Sequence, residues 1–194
     1  MLEILIEWDK QLFFFINSHN SPFWDAFMKF MSDKGSWYIL YAIIIAFLIY
    51  SYKKHIWLPA IMIGLTILIA DQTSSGFLKP TVERHRPCKD PEIGEMVRTP
   101  GGCGGLYGFT SSHASNHFGI AVLLILMGRN CSKWVWLFLP WAALIAYSRV
   151  YLGVHYPGDV IVGGLIGVTA AFIAFYIGKW ISTKTGARLK VLPI

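Results

Sequence analysis

Five long apolar runs constrain this chain more than any other feature: Trp37 to Tyr50, Ile56 to Ala70, Ala114 to Met127, Trp134 to Tyr147 and Val160 to Gly178. Only the last reaches the length of about 18 residues expected of a spanning helix. The others are flanked by Ser, Thr, Gly or Tyr, which extend each to roughly 20 residues. The stretch Ile43-Ile44-Ile45-Ala46-Phe47-Leu48-Ile49 has no polar face, so it does not read as an amphipathic surface helix in water. Composition agrees, with 55% hydrophobic and 14% charged residues, against roughly 25% charged in soluble domains. A soluble, all-helical core protein is the competing reading, and the number and purity of the runs count against it. Trp37, Trp57, Trp134, Trp136 and Trp180 lie near run ends, where an indole ring sits well at the headgroup level. The expected fold class is all-α: a polytopic membrane helical bundle of about five transmembrane helices.

Charge orients that bundle. With five spans, Lys53, Lys54, Arg129, Lys133, Lys179, Lys184, Arg188 and Lys190 fall on one side, and no Asp or Glu joins them. These basic loops are short, so the positive-inside rule assigns them to the cytoplasm. The net charge of +6 then reflects topology and anion binding. A nucleic-acid partner is not expected, because no long basic stripe is present. Glu3, Glu7 and Asp9 replace the basic start of a signal peptide. Residues 2–16 and 22–32 read instead as short helices at the non-cytoplasmic interface, separated by a break from Asn17 to Pro22. The chain thus reads as one domain: interfacial helices over 1–33, a membrane bundle over 34–182 and a cytoplasmic tail over 183–194.

The longest non-apolar stretch, Asp71 to His113, is rich in Gly, Pro and cations, as functional loops often are. It carries Cys88 and Cys103, while Cys131 falls in a turn on the other side. In an oxidising compartment the first two can form a disulfide; two free thiols is the alternative. Scattered cysteines with no His-Cys cluster argue against a structural zinc site.

Three clusters on the non-cytoplasmic side carry chemistry. In the first, Lys79 and Arg86 lie seven residues apart beside the membrane. A guanidinium fork and a compact ammonium suit phosphate oxygens, although basic residues also serve as plain juxtamembrane anchors. In the second, Ser111 and Ser112 precede a helix and His113 begins it. The serines can be ordinary caps, but free N–H groups at a helix start also bind anions, and a histidine there can move a proton. His117, one turn further, reads as structural. In the third, Arg149 ends a span and Asp159 follows His155 by four residues. That carboxylate can accept the imidazole N–H and leave the other nitrogen free to attack; a contact that merely closes a loop is the alternative. Ionisable groups so close to hydrocarbon are costly, which favours function.

Taken together, Lys79-x6-Arg86-Pro87, Thr110-Ser111-Ser112-His113 and Ser148-Arg149-x5-His155-x3-Asp159 resemble the motifs of the type-2 phosphatidic acid phosphatase superfamily, which also includes vanadium haloperoxidases. Its pattern is K-x6-RP, PSGH and SR-x5-H-x3-D. This chain departs at Thr110, where Pro is usual, and at Ser112, where Gly is usual. The resemblance implies His155 as nucleophile, Asp159 as its orienting group and His113 as general acid. It implies Lys79, Arg86, Ser111, Ser112 through its backbone N–H, and Arg149 as the phosphate cradle, with no metal and no cofactor. The substrate implied is a membrane lipid phosphate or diphosphate, hydrolysed on the non-cytoplasmic side of a bacterial inner membrane. Undecaprenyl diphosphate is the leading expectation, with phosphatidylglycerol phosphate, phosphatidic acid and lipid A phosphate as alternatives. A haloperoxidase fits poorly with so many spans, and a non-catalytic lipid carrier gives no reason to pair His113 with His155.

Overall fold

The computed structural model describes residues 2–130 and 132–187. Cys131, Arg188, Lys190 and the rest of the expected tail beyond residue 187 lie outside the described residues. Eight α-helices form the framework among those described: α1 Leu2–Ser18, α2 Pro22–Ser32, α3 Tyr38–Tyr52, α4 Trp57–Asp71, α5 Lys79–Val82, α6 Ser112–Gly128, α7 Phe138–Tyr151 and α8 Pro157–Thr185. No β-strand occurs among the described residues, and an isolated antiparallel bridge joins His85 to Tyr107.

Three continuous helical stretches are long and apolar enough to cross a bilayer: Gly35–His55, Trp57–Val82 and Pro157–Thr185. The remaining two runs form shorter helices, α6 with 17 residues and α7 with 14 residues behind a 3-10 lead-in over Lys133–Leu137. The large side chains Ile39, Ile43, Ile45, Phe47 and Ile49 of α3 point outward and exposed, as lipid contact allows and water does not. Chain direction alternates from helix to helix, so Tyr52, Arg129 and Lys179 border one cavity at one end of the bundle. All three motif clusters gather at the other end. Charge sorting in the sequence thus corresponds to the two ends of the bundle.

Helix α4 differs from expectation at its far end. The helical path does not stop near Ala70 but continues as π-type turns over Gln72–Leu78 into α5. Ser74 Oγ donates to Ala70 O at 2.7 Å, so polar side chains in this stretch bond back to the preceding turn instead of breaking it. Glu83, with φ of +51°, ends the path. As a result Lys79 stands on a rigid helical rod instead of in a loop.

The N-terminal break is also shorter than expected. Asn17 lies inside α1, nearly buried, and donates through Nδ2 to Arg98 O at 2.9 Å and Tyr151 O at 2.8 Å. Ser21 then caps α2 by accepting the Trp24 N–H, with Pro22 in the first turn. Leu5, Trp8, Leu12 and Phe15 recur at helical spacing on the exposed face of α1.

Helix α8 is the central element and packs closely on α6 and α4. Its interior face carries Gly163, Gly167, Ala170, Ala171, Ala174 and Gly178, the small residues that let helix backbones approach in lipid. A Cβ placed at Gly167 would lie 2.0 Å from Ser115 O and 2.8 Å from Gly119 N. Both are backbone atoms, so no side-chain rotation relieves the clash. Gly167→Ala is therefore expected to destabilise the bundle by about 1–3 kcal/mol, visible as a lower midpoint of thermal unfolding in detergent.

Candidate active site

Backbone hydrogen bonds draw the three motifs together. Arg86 N donates to Leu106 O at 3.0 Å and Gly108 N to Arg84 O at 2.8 Å, so the first motif lies alongside the chain leading to the second. Ser111 N then donates to Asp159 O at 3.0 Å, which fastens the start of α6 to the start of α8. Between α7 and α8 the chain turns at Gly153, whose φ is +77° and whose Cβ would meet Arg98 O at 2.4 Å. Only glycine fits this turn, which brings His155 back toward Arg149.

Lys79, Arg86, Ser112, His113, Arg149 and His155 line one cavity of about 280 Å³. Lys79 Nζ donates to Ser112 Oγ at 2.7 Å and to Ser75 Oγ at 3.3 Å. Arg86 is held by the carbonyls of Tyr107, Cys103 and Val154 at 3.2, 3.4 and 3.5 Å. Arg149 donates through Nη1 to Ser32 Oγ at the end of α2, while its Nε has no partner. Among the described residues no carboxylate forms an ion pair with Lys79, Arg86 or Arg149, although Asp71 also lines the cavity. Such a concentration of positive charge suits a phosphate dianion. Among the described residues no group of three or more His, Cys, Asp or Glu is arranged to share a metal ion.

Two expected residues lie beside the cavity, not on its wall. Ser111 is fully buried, and its hydroxyl accepts the Ala114 N–H at 3.4 Å as the cap of α6. Of the two serines it is Ser112 whose hydroxyl faces the cavity. Asp159 is likewise fully buried beneath His155, with its Oδ2 3.5 Å from His155 Nδ1. That separation allows electrostatic orientation but is long for a well-formed hydrogen bond. The carboxylate is bound more tightly by Arg84 Nη1 at 2.9 Å and by the Tyr156 N–H at 3.0 Å. His117 is satisfied on both nitrogens, by His113 O at 2.7 Å and Tyr41 Oη at 3.2 Å. Cys88 and Cys103 form a disulfide that anchors the loop bearing Arg86.

Several supporting residues lay outside the motif reading. Arg84 joins Asp159 to Asp9 of α1, which it meets at 2.7 Å, and lies 4.1 Å over the Tyr156 ring. Asp9 also accepts the Gly158 N–H at 2.7 Å. Ser75 and Ser32 hold Lys79 and Arg149. The only sequence signal for Arg84 was its place two residues before Arg86; Asp9 and Ser32 gave none, since their partners lie more than 70 residues away.

A lipid-embedded bundle with a cationic cavity and two histidines at one end defines an integral membrane phosphatase. Residues 35–182 match the model of the PAP2 superfamily, and the chain belongs to that family. It is 40% identical over 195 residues to the lipid A 4'-phosphatase of Bacteroides thetaiotaomicron, covering 98% of this chain and 84% of that one. It is 32% identical over 196 residues to the lipid A 4'-phosphatase of Porphyromonas gingivalis, covering 96% and 82%. The crystal structure of Aquifex aeolicus LpxE superimposes with a TM-score of 0.69 at 27% identity, covering 86% of this chain and 93% of that one. The protein is thus a membrane lipid phosphatase. Asp9, Ser32 and the helices that carry them lie N-terminal to the matched residues.

Burial lowers the His155 pKa to about 4, outweighing the opposite pull of Asp159. An unfolded chain takes up a proton near pH 6.5, whereas the folded one resists until about pH 4. Stability from this group is therefore complete above pH 6.5 and declines as pH falls toward 4. His155→Gln is expected to reduce the pH dependence of the unfolding free energy over that interval, by an amount on the order of 3 kcal/mol, measured by denaturation at a series of pH values. Arg84→Met leaves the buried Asp159 without its cation and is expected to cost roughly 2–4 kcal/mol, measurable by thermal unfolding in detergent.

Proposed function

We propose that this phosphatase removes the phosphate from a sugar of a lipid A-type glycolipid through a phosphohistidine intermediate. The observation that carries the reaction is that His155 and His113 border one cavity with Lys79, Arg86, Ser112 and Arg149. With Asp159 beside Nδ1, the proton of neutral His155 belongs on Nδ1, and Nε2 attacks phosphorus. Nδ1 then carries the positive charge that Asp159 offsets. The bond from phosphorus to the sugar oxygen breaks, and His113 gives that oxygen a proton. Lys79, Arg86, Arg149 and Ser112 hold the three equatorial oxygens as charge spreads over them. Water next attacks the phosphohistidine, with His113 taking its proton, and orthophosphate leaves. Ser111 acts through its cap of α6, beneath the oxygens.

The expected lean toward undecaprenyl diphosphate gives way here to lipid A phosphate, because relatives matched over nearly the whole chain carry that name. We place the site on the periplasmic side of a bacterial inner membrane, with α3, α4, α6, α7 and α8 as five spans. The exposed apolar face of α1 supports its lying at that interface.

The test is phosphate release in detergent from lipid A, undecaprenyl diphosphate and phosphatidylglycerol phosphate, each at matched concentration. Lipid A is expected to be hydrolysed with the highest kcat/KM. His155→Ala is expected to lower turnover by at least about a thousandfold, as loss of a nucleophile does. Comparable activity in that variant sinks the phosphohistidine route, and a clear preference for undecaprenyl diphosphate sinks the lipid A reading.

A further inference from the structure

The cavity that holds the catalytic groups is small, and two larger spaces adjoin it. One, of about 450 Å³, is apolar and lies between α3, α4 and α6, bordered by Tyr41, Ile63, Ile67 and Ile120. It meets the catalytic cavity at Lys34, Asn116 and His117, which border both. The other, of about 520 Å³, is far more polar than the first, with charged side chains beside the apolar Leu152 and Val154. It lies between the end of α2 and the Gly101–Gly104 turn, and it meets the catalytic cavity at Arg86 and Arg149. Lys29, Ser32 and Asp33 line its α2 side.

The walls of this polar chamber are fixed before any ligand arrives. Ser32 accepts a hydrogen bond from Arg149, and Tyr151 Oη donates to Asp25 at 2.8 Å, so α2 is tied to α7. The opposite wall is tied by the Cys88–Cys103 disulfide and by Gly102 N donating to Thr99 O at 3.0 Å. Gly102 has φ of +79°, and a Cβ there would meet nothing within 4 Å, so the turn leaves its side of the chamber open. A phosphate alone needs only the catalytic cavity, and acyl chains need only the apolar space. Neither calls for a preformed polar room with a carboxylate and an ammonium on one wall. A carbohydrate does: its hydroxyls donate to a carboxylate, and its ring, amide and hydroxyl oxygens accept from an ammonium.

We propose that the chamber between α2 and the Gly101–Gly104 turn is the subsite for the sugar that bears the phosphate, with Asp33 and Lys29 as its specificity-determining contacts. This rests on the phosphatase reading of the adjoining cavity and adds the part of the substrate that the motifs do not address. The sugar lies against α2, the phosphate lies between Arg86 and Arg149, and the acyl chains remain in the bilayer and the apolar space. Glycerol-based lipid phosphates leave the chamber filled with water.

Asp33→Asn and Lys29→Ala separate this role from catalysis, since both residues are exposed and outside the catalytic cavity. Each variant is assayed in detergent against lipid A and against short-chain phosphatidic acid, which has no sugar. The expected result is an increase of about tenfold in KM for lipid A, the effect of one lost polar contact, with kcat for lipid A and both constants for phosphatidic acid within about twofold of the unaltered protein. Equal losses on both substrates, or no change on either, overturn the sugar subsite. Inhibition by inorganic phosphate is measured in parallel. A weaker inhibition in Lys29→Ala marks the chamber as a phosphate exit and also overturns the proposal. If the unaltered protein hydrolyses phosphatidic acid but not lipid A, it is the glycolipid reading of the reaction that fails, before any variant is compared.

Discussion

The buried carboxylate of Asp159 is the interaction on which the catalytic end of this bundle depends. It sits in the first turn of α8, where the helix dipole favours a negative charge. One oxygen takes Arg84, the other takes the Tyr156 N–H and faces His155, and the residue's backbone carbonyl takes Ser111 N. A single residue therefore sets the positions of His155, of the capped start of α6 and of the segment that carries Arg86. A buried charge with fewer partners would be unstable in so dry a place. Arg84 is held in turn by Asp9, so the brace extends to α1 across the surface of the bundle.

Around this brace the protein concentrates cations that have no direct carboxylate partners. Among the described residues, Lys79 and Arg149 bond to serine hydroxyls and Arg86 to backbone carbonyls. Hydroxyls and carbonyls orient a cation without cancelling its charge, which keeps the full attraction available to a phosphate. Arg84 shows the contrast: it contacts two carboxylates and is not among the residues that line the phosphate cavity. Three spaces of different polarity then meet at the histidines and arginines, one suited to phosphate, one to hydrocarbon and one to a polar headgroup.

Much of this was legible in the chain. The apolar runs marked the helices of the bundle, and charge sorting separated its two ends. Lys79, Arg86, His113, Arg149 and His155 were singled out from spacing and from family resemblance, because each motif is local, and the structure brings all five to one cavity. The errors have physical causes. Gln72 to Ser75 looked like the start of a loop because polarity usually ends an apolar helix, whereas here the serine hydroxyls bond to the preceding turn and the helical path runs on. Asn17 looked like a turn residue, but its amide serves distant carbonyls. The motif distinguished Ser111, which matches it, from Ser112, which stands in place of Gly, but not which hydroxyl faces the cavity; the first turn of α6 buries Ser111 and presents Ser112.

The sequence by itself determined that the chain is a membrane helical bundle with a phosphate-handling end, since hydrophobic length, charge asymmetry and motif spacing are one-dimensional properties. Only the tertiary structure decided what supports and surrounds that chemistry. Asp9 bracing Arg84, Ser32 holding Arg149, the Cys88–Cys103 link and the polar chamber beside α2 all join residues remote in the chain. Such contacts depend on how glycine and alanine let α8 pack against α6 and α4, and on which side of the bundle the N-terminal helices dock. Neither is written in local patterning, because packing selects among many pairings that the same pattern permits.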